Sequence, residues 1–471
     1  MFTKKTKIVA TLSNLNCEPA FIKELYDAGM NAVRLNTAHM TVQNAVDVVK
    51  NIRAVSDKLA IILDTKGPEI RTTPVAEEFE VTEGDNIDVM GAPESETTPE
   101  CICVSYSEIA NDVEPGKNIL IDDGELCLKV IKNDGTKLTC EVMNSGVIKS
   151  RKSINIPDVQ ISLPALTEKD VDFIEFAAEY DIDFIAHSFV RKKEDVIAVQ
   201  TILDIKKSPV KIISKIENKE GLDNIDEIIE HSFGIMVARG DLAIEVPAER
   251  IPLIQKALVT KCIEKRKPVI IATQMLHSMI ESPRPTRAEV SDVGNACLDG
   301  TDAIMLSGET AYGKYPVESV KTMYKIACEI EKGHCTFNNT PYSTKNRITD
   351  YLTKSAVKAS MRLNTKAIVG DTLTGKTIRG LSAFRGESPI YAQCYNKRVM
   401  RELALSFGVF CDYMELNQTS HEFLDRALTR LTKNECFNEK DLIVILAGHF
   451  GAANGASYVE ISTAENLLQR K

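Results

Sequence analysis

Eight short apolar runs, with helix-like segments between them, limit the folds that this chain can adopt. Runs rich in Val, Ile and Ala are typical of parallel strands that are buried on both faces. Eight such strands close a barrel when helices alternate with them, so the pattern predicts an α/β fold built on a (β/α)8 TIM barrel. The runs span residues 6–12, 32–36, 60–64, 184–190, 210–216, 234–238, 268–273 and 303–307.

Polar residues gather where these runs end. In a (β/α)8 barrel the C-terminal ends of all the strands open onto one face, where catalytic loops lie. A plain core of alternating units would not need so many charged and hydroxyl side chains there. We therefore expect the following residues to lie on one face: Arg34, Asn36, Asp64, Ser188, Lys215, Glu217, Asp241, Thr273 and Ser307.

The unit at residues 210–247 carries the strongest chemical signal. Lys215 and Glu217 end one strand, and Asp241 follows the next. Two carboxylates on neighbouring strand ends repel each other unless a cation lies between them, and such oxygen ligands suit Mg2+ or Mn2+ together with substrate phosphate. Lys215 adds a point charge for a phosphate. For this unit alone, a simpler interpretation stays open, in which each charge only caps its strand.

The alternation of strands and helices is interrupted once, over residues 72–154. This stretch has short alternating runs separated by the sequences EGD, PGK, DDG and NDG, which are typical of hairpin turns. We predict a small inserted β-barrel after the third strand of the large barrel. Because it leaves and rejoins the chain at the catalytic face, it can close over the site as a lid. An insert without such a role is the alternative.

A second α/β unit is predicted beyond the barrel. A helix at 316–332 completes the barrel, and the polar stretch at 333–350 marks a boundary. A helix at 351–363 and strands near 367–370, 389–394, 409–414, 442–447 and 458–461 then alternate as in an open α/β domain. The domains are therefore assigned as a barrel at 1–71 and 155–340, a lid at 72–154 and a C-terminal α/β domain at 345–471.

Residues 370–377, GDTLTGKT, fit the GxxxxGKT pattern of a nucleotide-binding loop between a strand and a helix. The later strand at 442–447 has no trailing Asp or Glu to organise Mg2+, as such a site normally requires. Hydroxyls and backbone amides at the start of a helix still provide an anion pocket. We favour a phosphate-bearing effector here over ATP hydrolysis, with a simple helix cap as the structural alternative.

Composition argues against several classes of partner. The net charge is −10 without a basic face or tail, which argues against nucleic acid. No apolar run reaches the length of a membrane span, and the N-terminal sequence leads into a strand rather than a signal peptide. The 12 cysteines are scattered and the 7 histidines form no ligand cluster. We expect reduced thiols in a cytoplasmic protein.

The chain contains five strings that resemble the pyruvate kinase family: LDTKGPEIRT (63–72), IISKIENKEGL (212–222), GIMVARGDLAIEVP (234–247), IIATQMLHSMI (270–280) and PTRAEVSDVGNACLDGTDAIMLSGET (285–310). The resemblance runs from Thr6 to the C-terminus. It implies a glycolytic enzyme that transfers the phosphoryl group of phosphoenolpyruvate to ADP, giving pyruvate and ATP. It also implies Mg2+ (or Mn2+) and K+ as cofactors, and a homotetramer.

The resemblance assigns roles around the reacting group. Lys215, Arg34 and Thr273 match catalytic residues of the family, and Lys215 would neutralise the phosphoryl group as it moves. Glu217 and Asp241 match ligands of the divalent metal. Thr273, with backbone amides of residues 238–241, matches the cradle of the substrate carboxylate, and Thr273 with ordered water is the preferred route for protonating the enolate. The substrate-binding set is Arg34, Lys215, Ala238, Arg239, Gly240, Asp241 and Thr273.

Further roles fall on the lid, a potassium site and the C-terminal domain. Arg71 and Lys152 resemble positions that reach nucleotide or substrate phosphates when the lid closes. Asn36, Asp64 and Thr65 match three ligands of potassium. The loop in the C-terminal domain matches one that binds the phosphate of a sugar-phosphate activator, and its residues are Thr372, Thr374, Gly375, Lys376 and Thr377.

Four positions depart from the family's pattern. Ala38 stands where the family usually has a serine whose hydroxyl helps to hold potassium, although Glu69 is the residue that potassium-requiring members carry. We therefore expect a weakened dependence on potassium. Ser153 replaces a common glycine, His277 stands where glutamate is frequent, and Ala243 replaces the usual glycine of the RGDLG run. None of these three removes a named catalytic group.

Two other functions are compatible with parts of the sequence. A barrel lyase or mutase would stabilise a pyruvate enolate on the same metal, without ADP and without a closing lid. A non-catalytic sensor would bind phosphorylated metabolites through the C-terminal domain. The intact set of Lys215, Glu217, Asp241 and Thr273 favours the phosphotransferase.

Overall fold

The computed structural model describes residues 4–333, 338, 347–416, 419–448 and 455–469. The chain begins with three β/α repeats of a parallel sheet. Every residue of the first and third strands is buried, as expected for apolar strands covered on both faces. The elements are β1 (Lys7–Leu12), α1 (Pro19–Asp27), β2 (Ala32–Asn36), α2 (Val42–Val55) and β3 (Ala60–Asp64).

The chain then leaves this sheet to form the insert. Its hairpins at DDG and NDG join antiparallel strand pairs, as the sequence predicts. The EGD and PGK turns do not join paired strands, because β5 pairs with β11 and residues 115–117 lead from a helix into β8. The elements are β4 (Ile70–Arg71), β5 (Phe79–Val81), β6 (Asn86–Gly91), β7 (Cys101–Val104), α3 (Ile109–Asp112), β8 (Asn118–Ile121), β9 (Leu126–Asn133), β10 (Lys137–Val142), β11 (Gly146–Ile148) and β12 (Ser153–Asn155).

Seven strands of the insert form one sheet in the order β4-β12-β8-β9-β10-β6-β7. Backbone hydrogen bonds from Ser105 N to Arg71 O (2.9 Å) and from Thr73 N to Cys103 O (2.9 Å) bring the end of β7 back beside β4. The sheet therefore rolls around an apolar core of its own. A rolled sheet with its own core is the small β-barrel that the hairpin pattern predicts.

Five more β/α units follow the insert. The strands are short, and each one is fully buried except for the first residue of β14. The elements are α4 (Glu168–Glu179), β13 (Phe184–His187), α5 (Lys193–Ile205), β14 (Lys211–Ile216), α6 (Lys219–Asp223), α7 (Ile225–His231), β15 (Gly234–Ala238), α8 (Arg239–Glu245), α9 (Ile251–Glu264), β16 (Val269–Ala272), α10 (Arg287–Leu298), β17 (Ala303–Leu306), α11 (Gly308–Ala311) and α12 (Pro316–Gly333).

Parallel pairing of β1 with both β2 and β17 closes the eight strands into a barrel. Side chains such as Val9, Ile62 and Met236 fill its interior, while a larger apolar layer packs the strands against the surrounding helices. The predicted TIM barrel is confirmed. The predicted strands at 32–36, 60–64 and 234–238 have the observed bounds, and the run at 184–190 stops early because Phe189 adopts a left-handed conformation with φ of 53°.

The C-terminal domain has a five-stranded sheet in the order β20-β19-β18-β21-β22, in which only the β21–β22 pair is antiparallel. Its first helix begins at Arg347, before the predicted 351, and most of the predicted boundary at 333–350 lies outside the described residues. The elements are α13 (Arg347–Arg362), β18 (Ala367–Thr372), α14 (Lys376–Ala383), β19 (Ile390–Cys394), α15 (Lys397–Glu402), β20 (Val409–Tyr413), α16 (Ser420–Lys433), β21 (Leu442–Ala447), β22 (Tyr458–Thr463) and α17 (Ala464–Leu468).

The C-terminal domain packs on the face of the barrel where the strands begin. Arg401 pairs with Asp183 at 2.6 Å, and Arg385 pairs with Asp302 at 2.9 Å. Both aspartates immediately precede barrel strands and are buried, and Leu405 of the C-terminal domain belongs to the apolar cluster of the barrel interior. The opposite face of the barrel, where the strands end, is therefore left open to the insert.

Within the described ranges, no helix combines the length and apolar character needed to cross a lipid bilayer. The cysteines in those ranges carry free thiols.

Candidate active site

Lys215 is the centre of a buried charge cluster at the C-terminal ends of β3, β13 and β14. Its Nζ lies 3.1 Å from Asp64 Oδ1 and 3.0 Å from Glu217 Oε1. It also donates a hydrogen bond of 2.7 Å to Ser188 Oγ. These residues come from three parallel strands that end at one level, so the fold brings together side chains that are far apart in sequence.

Arg34 extends the cluster toward β1 and β2. Its Nε forms an ion pair with Asp64 Oδ2, and its Nη1 donates to Thr11 Oγ1 at 3.3 Å. Asp64 therefore lies between the cations of Arg34 and Lys215. The two cations face one end of the barrel together, which is the arrangement that an anionic group would need.

The pKa values in this cluster follow from burial and charge. Burial disfavours the charged form of Lys215, but the carboxylates of Asp64 and Glu217 outweigh it and raise the lysine's pKa. Burial also opposes ionisation of Asp64, yet Arg34 and Lys215 hold its pKa below the usual value. Burial raises the pKa of Glu217 to about 7, although Lys215 acts in the opposite direction.

Asp241 and Thr273 approach the same face from the next two units. Asp241 lies in the first turn of α8, and its pKa is raised chiefly by burial. Gly240 N donates to Thr273 Oγ1 at 2.8 Å. Thr273 has φ of 70°, so its hydroxyl is held against the start of α8 by a conformation that a branched residue adopts at a cost.

The side chain of Arg239 does not face the open end of the barrel. Its guanidinium is buried and makes two hydrogen bonds with Asp292, at 2.6 and 2.7 Å, and one of 2.9 Å to Thr273 O. The substrate contact predicted for residues 238–241 uses backbone amides, so the buried side chain of Arg239 has a separate, supporting role. In the described structure Arg239 fixes the backbone of Thr273, because it bonds the carbonyl next to the strained φ.

Sequence reasoning missed two supporting acids. Asp292 lies on α10, and Glu309 lies on α11, where its carboxylate accepts from Leu276 N at 3.1 Å and Ser307 N at 2.8 Å. Neither residue ends an apolar run, so a search for polar residues at the ends of such runs does not predict them. The burial of Glu309, which is 2% exposed, is a signal that only the structure provides.

The carboxylates at this face fit a divalent cation. Glu217 and Asp241 are buried acids with raised pKa values, and a bound cation would favour their charged forms. Among the described residues there is no group of three or more His, Cys, Asp or Glu side chains arranged to hold a metal. A cation here would therefore take the rest of its oxygen ligands from water or a bound substrate.

The three predicted potassium ligands lie at neighbouring strand ends. Asn36 and Asp64 end β2 and β3, and Thr65 follows Asp64. Asn36 Oδ1 accepts from Ala38 N at 3.2 Å, and Ala38 O accepts from Lys169 Nζ at 3.1 Å. Because Ala38 has no hydroxyl, the predicted potassium site has one oxygen fewer than it would have with serine at position 38.

A cavity of about 580 Å³ lies between the insert and the barrel. It is lined by Asp123 from the insert, by Arg71 where the chain enters the insert and by Asp241 from the barrel. Arg71 is paired with Glu69 at 2.5 Å, whereas Lys152 is paired with Asp122 at 2.9 Å. Of the two predicted nucleotide-binding residues, Arg71 thus faces the cavity and Lys152 is not part of its lining.

The loop at 372–377 makes a tight turn between β18 and α14. Gly375 has φ of 77°, and its N donates to Thr372 Oγ1 at 2.8 Å just before α14 begins at Lys376. Thr372, Thr374, Lys376 and Thr377 line a cavity of about 830 Å³ on the side of the barrel remote from Lys215. Gly375 is buried beneath them and permits the turn.

Comparison with known proteins agrees with this geometry. The family model described as "Pyruvate kinase, barrel domain" matches residues 3–320, and "Pyruvate kinase, alpha/beta domain" matches 350–462. A pyruvate kinase of Borreliella burgdorferi is 46% identical over 100% of this chain and 99% of its own length. One of Bacillus licheniformis is 43% identical over 99% of this chain and 82% of its own.

Solved structures lead to the same family. The crystal structure of a pyruvate kinase from Cryptosporidium parvum superposes with a TM-score of 0.92 at 34% identity, over 98% of this chain and 96% of that one. The chain therefore belongs to the pyruvate kinase family and is a phosphotransferase.

Proposed function

We propose that the chain transfers the phosphoryl group of phosphoenolpyruvate to ADP and forms ATP and pyruvate as a step of glycolysis. The proposal rests on the buried cluster around Lys215, in which two cations and two acids meet at the open end of the barrel. Its position beside the cavity beneath the insert leaves room for a second, nucleotide substrate.

Charge neutralisation is the main task of such a site. The transition state for phosphoryl transfer spreads negative charge over the oxygens of the moving group, so positioned cations accelerate it more than acid or base groups do. Lys215 and Arg34 supply this charge. Lys215 stays protonated because Asp64 and Glu217 raise its pKa despite burial.

Glu217 and Asp241 would hold Mg2+ or Mn2+, which supplies further positive charge to substrate oxygens when it is bound. Asn36, Asp64 and Thr65 would take part in binding K+, with the weakened dependence that Ala38 implies. Asp64 and Glu217 also orient Lys215, since they lie 3.1 and 3.0 Å from its Nζ.

Thr273 and the start of α8 would hold the carboxylate of phosphoenolpyruvate. Backbone amides of residues 238–241 belong to a helix N-terminus, and the hydroxyl of Thr273 lies 2.8 Å from one of them. After transfer, the enolate must gain a proton on carbon. Thr273, together with ordered water, is our candidate for that step, because Lys215 is committed to two carboxylates.

The insert at 72–154 would close as a lid over the nucleotide. Arg71 lines the cavity and would reach a phosphate once its pairing with Glu69 is exchanged for the ligand. Lys152 would need to leave Asp122 to do the same. Lid closure would then exclude water, which otherwise competes for the phosphoryl group.

ATP formation from phosphoenolpyruvate and ADP, with Mg2+ and K+, tests the reaction directly. We expect turnover that requires ADP and Mg2+. Pyruvate release without ADP would favour a barrel lyase instead, and no turnover with or without sugar phosphates would end the proposal. Asp241→Asn should raise the Mg2+ concentration needed for half-maximal rate, whereas Asp226→Asn, an exposed acid paired with Lys261, should not.

We also propose that the loop of Thr372, Thr374, Gly375, Lys376 and Thr377 binds the phosphate of a sugar-phosphate effector, and that the chain assembles as a homotetramer. A Lys376→Ala variant should bind a hexose phosphate more weakly than the wild-type protein while keeping its activity without effector. Sedimentation of the purified chain tests the assembly, and a monomer would contradict it.

A further inference from the structure

Both connections between the insert and the barrel contact one short loop beside the catalytic charges. This loop, residues 188–191, lies between β13 and α5. The outgoing connection, residues 65–69, leads from β3 to β4, and the return linker, residues 156–166, leads from β12 to α4. Residues of the 188–191 loop and of the return linker line the cavity of about 580 Å³ beneath the insert.

The first half of the 188–191 loop holds the catalytic charges. Ser188 Oγ accepts a hydrogen bond of 2.7 Å from Lys215 Nζ. Phe189 N donates to Glu217 Oε2, also at 2.7 Å. Phe189 has a left-handed φ of 53°, which a bulky residue keeps only when its surroundings enforce it. Because this conformation directs the N–H at the carboxylate, a shift of the loop would move the donor away from Glu217.

The outgoing connection packs directly on the same two loop residues. Gly67 has φ of 73°, and a Cβ at this position would lie 2.7 Å from the Phe189 ring and 2.9 Å from Ser188 Cβ. Both distances are too short for van der Waals contact, so a glycine is needed where the chain passes the loop. The chain that leaves the barrel for the insert therefore touches the residue that bonds Glu217.

The last residue of the loop holds the return linker. Arg191 Nη1 donates to Ile161 O at 2.9 Å, and Arg191 Nη2 donates to Leu163 O at 2.9 Å. Asp195 fixes the guanidinium from its other side, with Oδ2 3.3 Å from Arg191 Nε. The planar guanidinium thus bonds two backbone carbonyls and a carboxylate at once, a geometry that the ammonium of a lysine does not reproduce.

The insert holds the same stretch of linker from the opposite side. Ser162 N donates to Asp112 Oδ2 at 2.9 Å, and the Tyr106 hydroxyl donates to the same carboxylate oxygen. Asp112 is the last residue of α3 in the insert. Residues 161–163 are therefore bonded alternately to the barrel and to the insert, so a displacement of the insert acts on Arg191.

We propose that Arg191 is a positioning residue that couples the position of the insert to Glu217 through the 188–191 loop. This role rests on the proposed function, in which Glu217 binds a divalent cation and the insert closes over the nucleotide. With the linker bonded to Arg191, the loop keeps Phe189 N on Glu217 and holds that carboxylate in place for the cation. Loss of Arg191 should therefore weaken metal binding and nucleotide binding together.

Arg191→Gln in the full chain tests this coupling. We expect about tenfold weaker binding of Mn2+ without nucleotide, measured from the EPR signal of free Mn2+, and an about tenfold higher KM for ADP, since the lost charge-assisted hydrogen bonds are worth that factor. At saturating Mn2+ and substrates kcat should stay within about threefold of the wild type, because no group that contacts the phosphoryl group has changed.

Two further variants separate positioning from stability. Arg191→Lys keeps the pair with Asp195 but lacks the planar guanidinium, so its Mn2+ affinity should lie between those of the wild type and Arg191→Gln. Arg53→Gln is the matched control, because Arg53 is 14% exposed, against 16% for Arg191, and also donates to two backbone carbonyls. Those carbonyls lie where barrel strands begin, so this variant should lower Tm and leave Mn2+ affinity unchanged.

Three results would overturn the coupling. They are an unchanged Mn2+ affinity in Arg191→Gln, a fall in Mn2+ affinity with an unchanged KM for ADP, and an equal loss of Mn2+ affinity in Arg53→Gln. Failure of the wild-type protein to bind Mn2+ would overturn the proposed metal site itself, and the role of Arg191 with it.

Discussion

Replacing Lys215 by Met tests the central chemical assignment. The substitution removes the ammonium that lies 3.1 Å from Asp64 and 3.0 Å from Glu217 but keeps an unbranched apolar side chain. Loss of one preorganised charge costs about 2.7–4 kcal/mol of transition-state stabilisation. We therefore expect the rate of ATP formation at saturating substrates to fall by on the order of a hundredfold or more.

The same change should lower stability less than a broken buried ion pair usually does. Removing one partner of such a pair costs about 3–5 kcal/mol, because the other charge stays buried and unpaired. Here Asp64 keeps Arg34, and Glu217 has a pKa of about 7, so it can accept a proton at little cost near neutral pH. Scanning calorimetry should therefore find a folded variant with a lower Tm at pH 7.

Two further variants make the test specific. Lys193→Met removes an ammonium that is 39% exposed and paired with Glu227 at 3.1 Å, so its rate should stay within about twofold of the wild type. Lys215→Arg keeps the positive charge but replaces the compact ammonium by a planar guanidinium, so it should retain part of the rate that Lys215→Met loses. A folded Lys215→Met protein with a rate within about threefold of the wild type would refute the assigned role.

Three more predictions concern other parts of the chain. Burial lowers the pKa of His187 to about 4, so between pH 6.5 and 4 the unfolded chain binds a proton that the folded chain does not. At pH 5 this difference lowers the free energy of unfolding of the wild type by about 2 kcal/mol. Calorimetry should therefore find that Tm falls more from pH 7 to 5 in the wild type than in His187→Leu. Ala38→Ser should increase the stimulation of turnover by K+. Equal stimulation of the variant and the wild type would show that Ala38 does not weaken the dependence on K+. Arg385→Ala should lower the free energy of unfolding by about 3–5 kcal/mol, because it leaves the buried carboxylate of Asp302 without its cation, and an unchanged Tm would contradict this.

The sequence was sufficient to predict most of the barrel and the centre of the site. Apolar runs of five to seven residues show where buried parallel strands lie, and the polar residues near the end of each run show which face carries the charged cluster. Lys215, Glu217, Asp64 and Arg34 follow from that rule alone. Their mutual contacts then follow from closure of the barrel.

The contacts of Arg239 and Asp292 that fix the backbone of Thr273 could not be predicted from the ends of apolar runs. Asp292 lies on a helix, and its contact with Arg239 joins residues that are 53 positions apart. Arg239 itself follows the end of β15, but its long side chain turns back to the helix layer and bonds Asp292. The direction of a flexible side chain depends on partners that only the folded chain brings close.

Two strands carry both the chemistry and the contact between domains. Asp183 precedes β13 and binds Arg401, while β13 leads at its other end to Ser188, which accepts a hydrogen bond from Lys215. β14 begins at Lys211, which lines the cavity of about 830 Å³ beside residues 372–377, and leads to Glu217. A strand of four to six residues spans only about 13–20 Å and is fixed along its length by its neighbours. A displacement of the C-terminal domain against the starts of these strands would therefore act on the same rigid elements that position Lys215 and Glu217.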